Sequence, residues 1–546
     1  MGDETDFLWL EYSQESPFVR AILEEELERE AEEREEEEGE PAEQIRVYEF
    51  DEQSISLGWR IYALAIVTFL NVLNFTQQYL LIVTIFGMAN ELEFGETQCQ
   101  VINETLARDY LHDHNMTGDL DGLCSEIGRC SENSTLFLPD VCGIQYTGQG
   151  ILFEILAGPI YLIVQGVTSI PLVGLIQRLS LRPPFVIGLF TILWTLCTFI
   201  TAYVNDYWAI ALLRFLFGVF SCPHMPVAYA YLASVFPSKV HTLVFGVAHY
   251  GCIAGYGIAY FFVFVSDGIG WRWCYYICGA MGVVVAIGSC FMANPKVFHC
   301  RGQSRTFRPS WKQQRAGLRQ IVWSVMMPLI LANTSRIAAL NVGSYNITLY
   351  MAEYFPDFNV AFLGWVTLVS SFPGSIFGGL LCDILRRTSG IRGRLWLSLV
   401  LMVISLVVSP LISLTPVTMA VALFGIYIAA SDWFYVVNLA VISDLTPLEC
   451  KTTIFALNFF FTNSLGGAVN LTFAPIASLV GLRTALTSFS VLLCGISVVV
   501  FLIPIGVTEC LGERFGVTGN EEENTTESGE TTPLTASLPS YRSLST

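Results

Sequence analysis

Twelve runs of about twenty predominantly apolar residues lie between residues 57 and 506 of this chain. An α-helix rises about 1.5 Å per residue, so about 20 such residues cross the roughly 30 Å hydrocarbon core of a bilayer. The composition agrees: 14% of the residues are charged, against about 25% in an average soluble domain. We therefore predict an all-α membrane protein of twelve transmembrane helices in two six-helix halves, residues 57–293 and 321–506.

A basic linker, residues 294–320, separates the two halves and contains no acidic residue. Its cations are Lys296, Arg301, Arg305, Arg308, Lys312, Arg315 and Arg319. Because loops rich in Lys and Arg stay in the cytosol, the linker is predicted to be cytosolic. An even number of helices then places the tails, 1–56 and 507–546, in the cytosol as well. Residues 1–50 hold 19 acidic residues and four arginines, and such blocks of like charge are typical of solvated tails.

A polar loop, residues 87–146, follows the first helix and is predicted to lie on the opposite, lumenal or extracellular face. It contains three glycosylation sequons and four cysteines, and both features belong to that face. The sequons begin at Asn103, Asn115 and Asn133, and the cysteines are Cys99, Cys124, Cys130 and Cys142. Four cysteines allow three pairings, which the sequence leaves open.

Two local motifs resemble those of the major facilitator superfamily. Gly379–Arg387, with Asp383 inside it, is similar to the family's GxLxDxxxR loop, whose Asp and Arg brace the cytoplasmic helix ends. Arg214 and Gly218 are similar to the family's RxxxG motif. At the corresponding loop of the first half, Arg178 stands where the family has an acid.

A narrower resemblance is to the Spinster-like branch, which is associated with sphingolipid and lysophospholipid transport. It is carried by Leu70–Phe75, by the run Arg214–Tyr260 and by Ser431–Pro447. Two departures concern the proton-coupling acids that the branch implies: this chain has Gln77 and Gln78 in the first helix, and Ser221 in the fourth. Inherited proton coupling is therefore not expected.

The resemblance implies that the first, fourth, seventh and tenth helices line a central cavity, and all four carry polar residues at mid-depth. The predicted substrate-binding residues are Gln77, Gln78, His224, Arg336, Asn341, Asp432, Trp433, Tyr435 and Asn438. Arg336 and Asp432 are both 15 residues into their helices, so we expect them to pair across the cavity, because an unpaired charge at that depth is costly. Gln77 and Arg214 also match in depth, and we expect them to hydrogen-bond. The competing interpretation is that such polar residues only hold the bundle together.

The predicted function is alternating-access transport of an amphipathic organic anion, most directly a lysophospholipid or sphingolipid. Two alternatives stay open: a carrier of small polar organic ions, and a transport-inactive receptor or adaptor on the same fold. No nucleotide, metal or nucleophile motif is present, so neither an enzyme nor a cofactor is expected, and no basic surface suggests nucleic acid. Tyr541–Leu544 fits a short sorting signal, which predicts the lysosomal or endosomal membrane, with the plasma membrane as the alternative.

Overall fold

The computed structural model describes residues 56–95, 97–101, 142–146, 150–179, 181–237, 240–292, 296–298, 304–306, 311–355, 358–447 and 450–510. The chain forms two compact units. Among the described residues, the first unit comprises residues 296–298 and 304–305. In the linker, the two short strands Lys296–Phe298 and Ser304–Thr306 pair with each other. The second comprises residues 52–295 and 306–530 and contains all the long helices.

Twelve helices among the described residues are long and apolar enough to cross a membrane, which confirms the predicted fold class. Spans 1–6 are Leu57–Leu92, Ile151–Arg178, Pro183–Thr201, Tyr207–Val235, His241–Ile269 and Trp271–Ser289. Spans 7–12 are Trp323–Met351, Ala361–Leu385, Thr388–Leu414, Val417–Asp444, Lys451–Val480 and Leu482–Glu509. The helix of span 7 continues to Tyr354 and that of span 12 to Cys510. We call the end of the bundle that holds Leu57 the tail face, and the opposite end the loop face.

The two halves use the same turn after their fifth helix. Gly270 separates spans 5 and 6 with φ 98°, and Gly481 separates spans 11 and 12 with φ 86°. Only glycine adopts such angles without steric cost, so the chain reverses within one residue at both places. Gly390, with φ 60°, interrupts the helix near the start of span 9.

The polar loop begins later than predicted. The first helix continues to Leu92, six residues into the predicted loop, and ends at Glu93, which adopts a left-handed conformation. Beyond it, the strands Thr97–Val101 and Cys142–Tyr146 pair antiparallel, with Cys99 opposite Ile144 and Cys142 opposite Val101. In the linker, Trp311–Gln320 is a short helix.

Spans 2 and 8 each contain a short π-helical segment that begins at a proline. These segments are Pro159–Ile163 and Pro373–Phe377. Proline removes a backbone donor, and a π segment absorbs the missing bond by widening the helix. Each segment turns a hydroxyl toward a polar residue of another span: Tyr161 donates to Gln78, and Ser375 donates to Asp432.

The halves meet where span 2 packs on span 11 and span 5 packs on span 8. Small residues allow these approaches. A Cβ atom on Gly166 would lie 2.8 Å from the backbone nitrogen of Ser464, and one on Gly257 would lie 3.0 Å from the carbonyl oxygen of Gly364.

Apolar clusters containing residues of both halves lie toward each face. Toward the loop face, Tyr79 stacks on Tyr345 with ring centroids 5.1 Å apart. Toward the tail face, Phe245 packs edge-on against Phe455 at 6.3 Å. The halves are therefore in contact on both sides of the bundle centre.

Candidate functional site: a cavity between the two halves

An internal cavity of about 90 Å³ lies between the two halves at the centre of the bundle. Its walls come from spans 1, 2, 4 and 5 of the first half and spans 7, 10 and 11 of the second. That volume holds several water molecules and is below the roughly 300–1,000 Å³ of an ordinary ligand pocket. The halves must therefore separate before a large molecule can enter.

Four of the nine predicted substrate-binding residues line this cavity: Gln78, Asn341, Asp432 and Tyr435. Gln78 is fixed from two sides, because its amide nitrogen donates to the hydroxyl of Tyr345 at 3.0 Å and its amide oxygen accepts from the hydroxyl of Tyr161 at 3.1 Å. Gln78 therefore ties span 1 to span 2 and, across the interface, to span 7.

An acid and a histidine from opposite halves meet at the cavity. The Nε2 atom of His249, in span 5, lies 2.8 Å from the Oδ1 atom of Asp432, in span 10. The other carboxylate oxygen of Asp432 accepts a hydrogen bond from Ser375. The ring of His249 stacks on that of Tyr435 with centroids 4.2 Å apart and planes inclined by 27°. Both members of the pair are buried, with exposed fractions of 7% and 2%.

Arg336 has different partners from the predicted one. Its guanidinium donates to the hydroxyls of Tyr427 and Ser405, each at 2.9 Å, and to Ser431. Its Cζ atom lies 4.6 Å from the centre of the Tyr427 ring, close enough for a cation–π interaction. The predicted pairing of Arg336 with Asp432 is therefore wrong: the two side chains are at similar depth, but hydroxyls hold the cation and a histidine holds the acid.

Four other predicted site residues also lie outside the cavity lining in this conformation. Gln77 donates to the carbonyl of Cys278 at 2.9 Å, and His224 lies 2.8 Å from the amide oxygen of Asn71. Trp433 packs on the span 8 backbone at Gly378. Asn438 is buried, and neither of its amide atoms has a hydrogen-bond partner among the described residues.

The expected hydrogen bond between Gln77 and Arg214 is absent from the contacts of the described residues. Arg214 donates instead to the backbone carbonyl of Gln78, at 3.0 Å. Gly218, one turn further along, packs closely on span 2, where a Cβ atom would lie 2.9 Å from the carbonyl oxygen of Tyr161. The RxxxG motif therefore positions spans 1, 2 and 4 against one another.

The loop motif of the second half forms a charged brace at the tail face. Asp383 accepts from Arg394 at 2.8 Å, and its other oxygen accepts from the backbone N–H of Leu243 at 3.1 Å. Arg394 also donates to Asp444 at 2.5 Å and to Thr242 at 2.7 Å. The brace thus ties spans 8, 9 and 10 to the start of span 5 in the other half. The side chain of Arg387, the predicted partner in this motif, lies outside the described residues.

Several other predicted features lie outside the described residues. They are the sequons at Asn103, Asn115 and Asn133, Cys124 and Cys130, the side chains of Cys99 and Cys142, and the tail residues Tyr541–Leu544. Among the residues that the structure does describe, no three His, Cys, Asp or Glu side chains are grouped so as to hold a metal ion.

His249 is a site residue that the sequence analysis did not predict, although one signal pointed to it. A buried Asp432 needs a hydrogen-bond donor at its own depth, and only a few side chains in the apolar helices can supply one. Which helix face His249 occupies was not visible from the sequence.

Two halves of six spans around an internal polar cavity define the class of secondary transporters. Residues 64–471 match the Major Facilitator Superfamily, and the chain belongs to that family, as the motifs predicted. It is a multi-pass membrane transporter and not an enzyme.

Solved structures with a similar fold include a human organic anion transporter, MFSD10 (TETRAN). That match has 14% sequence identity and a TM-score of 0.50, and covers 82% of this chain and 99% of the other. Another is a bacterial homologue of the human lysosomal transporter Spinster, inward-facing and occupied, with 16% identity, a TM-score of 0.50 and coverage of 84% and 98%. At these identities the likeness shows the fold alone. A comparison with curated protein sequences found no match.

Proposed function

We propose that this transporter carries an amphipathic organic anion by alternating access. The favoured substrate within this class is a lysophospholipid or sphingolipid. The observation that carries the proposal is the mixed lining of the central cavity. Amide and hydroxyl groups share it with eight apolar side chains: Phe75, Leu162, Met225, Ile253, Ile337, Leu340, Ile428 and Phe459. Such a lining matches a molecule that has both an apolar chain and a polar head.

Charge around the cavity supports an anionic head group. Among the described lining residues, His249 and Asp432 are the two with an imidazole or a carboxyl group. The guanidinium of Arg336 bonds Ser431, itself a lining residue, so a fixed cation lies just behind the wall. A head group that displaces Asp432 from His249 would meet the imidazole, with the guanidinium close behind it.

Uptake of a labelled lysophospholipid by proteoliposomes is the direct test. We expect Leu340→Gln, which places an amide in the apolar part of the lining, to raise KM about tenfold, since a buried leucine side chain contributes about 1.5–3 kcal/mol. The matched control is Leu331→Gln in the same span, because Leu331 is 41% exposed on the outside of the bundle.

Three outcomes of that assay contradict the proposal. Uptake of a small organic ion without uptake of lysophospholipid supports the carrier of polar ions. Binding of lysophospholipid without uptake supports a receptor. Equal KM values for Leu340→Gln and Leu331→Gln place the acyl chain outside this cavity.

We further propose that the 87–146 loop is lumenal or extracellular, disulfide-linked and glycosylated. Its sequons and cysteines support this assignment, as does the predicted cytosolic location of the linker. Replacing Asn103, Asn115 and Asn133 by glutamine should sharpen and lower the gel band, as treatment with an N-glycosidase should. An unchanged band after both treatments contradicts the assignment.

We propose that the protein resides in the lysosomal or endosomal membrane, with the plasma membrane as the alternative. Imaging of Tyr541→Ala tests this proposal, because loss of a working sorting signal should change the distribution of the protein. An unchanged distribution would show that the Tyr541–Leu544 motif is not used.

A further inference from the structure

We propose that His249 and Asp432 form the site at which the coupling proton binds, so that the transporter moves its anion together with a proton. This inference rests on the proposed function, because it concerns the same cavity. It places proton coupling in spans 5 and 10, away from spans 1 and 4, where the Spinster-like resemblance implies acids and this chain has Gln77 and Ser221.

The first step of the argument is the position of the pair across the interface. His249 belongs to the first half and Asp432 to the second, and they are 2.8 Å apart while the halves are in contact. Alternating access moves one half against the other. Opening the cavity therefore changes the contact of His249 with Asp432, and it admits water to two groups that are buried while it is closed.

The second step concerns what surrounds the pair. The titratable side chains that interact electrostatically with Asp432 are the phenols of Tyr229, Tyr250 and Tyr435 and the thiol of Cys252, from spans 4, 5 and 10. Span 8 contributes the hydroxyl of Ser375, and span 7 contributes Arg336, which bonds the adjacent Ser431. Spans 1, 2 and 11 contribute the neutral amides Asn74, Gln78, Gln165 and Asn463.

The lining groups suited to exchange a proton with water are the imidazole of His249 and the carboxylate of Asp432. Phenols and thiols hold their protons more tightly than a histidine or a carboxylic acid does, and a guanidinium stays charged. The described cavity lining contains no carboxylate other than that of Asp432. A proton that enters from an opened face is taken up by the carboxylate oxygen of Asp432, next to His249, and it leaves from the same atom.

The third step sets the direction of coupling. Each proton that the pair binds adds one positive charge to the cavity, so an anionic head group binds better to the protonated pair. By reciprocity, a bound anion increases the proton affinity of the pair by the same factor as protonation increases its affinity for the anion. Proton and anion then bind and leave together, and transport is symport rather than exchange.

The test measures accumulation of labelled lysophospholipid in proteoliposomes with the membrane potential clamped at zero. Wild-type protein should concentrate the substrate on the alkaline side of the membrane. For one proton per molecule, the ratio of substrate concentrations across the membrane should rise up to about tenfold for each unit of pH difference. Asp432→Asn and His249→Gln should lose this dependence. The matched control is His241→Gln, since His241 lies in the same span but bonds the carbonyl of Phe236 at the tail face. A full response to the pH gradient in Asp432→Asn overturns the proposal.

A second measurement does not depend on the substrate. Infrared difference spectra of purified protein at two pH values should show a carboxylic-acid carbonyl band in the wild type and in His241→Gln, and should lack it in Asp432→Asn. If the same band persists in Asp432→Asn, protonation occurs elsewhere and the proposal is overturned. If wild-type protein takes up no lysophospholipid but shows the Asp432 band, the proposed substrate is wrong and the proton site stands.

Discussion

Replacing Arg394 by methionine is expected to remove most of the folded protein. Arg394 is fully buried and bonds Asp383 and Asp444 at 2.8 and 2.5 Å. Without it, the largely buried carboxylates of Asp383 and Asp444 lose the cation that they share. Removing one partner of a buried ion pair costs about 3–5 kcal/mol, a large part of the roughly 5–15 kcal/mol by which proteins are stable. The monodisperse yield after detergent extraction and the thermal unfolding midpoint measure the loss.

The control is Arg392→Met, two residues earlier in the same span. Arg392 is half-buried, and its ion pair with Glu509 is long, at 3.9 Å, so the expected change is at most about 1 kcal/mol. Adding Asp383→Asn and Asp444→Asn to Arg394→Met should recover much of the stability, because the uncompensated charges are then gone. Equal stability of Arg394→Met and Arg392→Met would show that the brace contributes little.

A double-mutant cycle should find His249 and Asp432 strongly coupled. Alone, His249→Gln leaves the Asp432 carboxylate without its histidine in a buried site, a loss of about 1–3 kcal/mol. Combined with Asp432→Asn, the same substitution should cost much less, since no buried charge is left. We expect an interaction free energy of about 1–3 kcal/mol, measured from unfolding midpoints in detergent.

The comparison cycle uses Arg336→Leu with Asp432→Asn. Because Arg336 bonds Tyr427, Ser405 and Ser431, neutralising Asp432 does not relieve the loss of the arginine. The two substitutions should therefore be close to additive. If instead Asp432→Asn rescues Arg336→Leu and not His249→Gln, the pairing described for the cavity is wrong.

The charged brace joins the two halves at the tail face. At spans 5 and 8, a buried arginine and two aspartates reach Thr242 and Leu243 of the other half. At spans 2 and 11, Gln177 and Thr453 form a hydrogen bond at 3.3 Å. The sequence already distinguished the two loop motifs, since Asp383 fits the family motif and Arg178 stands where its counterpart in the first half would be an acid.

The sequence alone determined the number of spans, the division into halves and the family, because these depend on apolar length and on short local motifs. It also identified Asp432 as a buried acid that requires a partner, since charge at membrane depth is costly, and Asp383 as part of the loop motif. Gln78, Asn341 and Tyr435 were predicted from polar side chains on helices that the family resemblance places around the cavity.

Only the tertiary structure decided which partner each charge has. Depth along a helix follows from counting residues, and by that measure Arg336 and Asp432 matched. Contact also depends on the rotation and packing of each helix, which are set by glycines and π segments far apart in the chain. Ser375 reaches Asp432 from a widened turn of span 8, and His249 reaches it from span 5. These two contacts, made across the interface between the halves, have no local signal in the sequence.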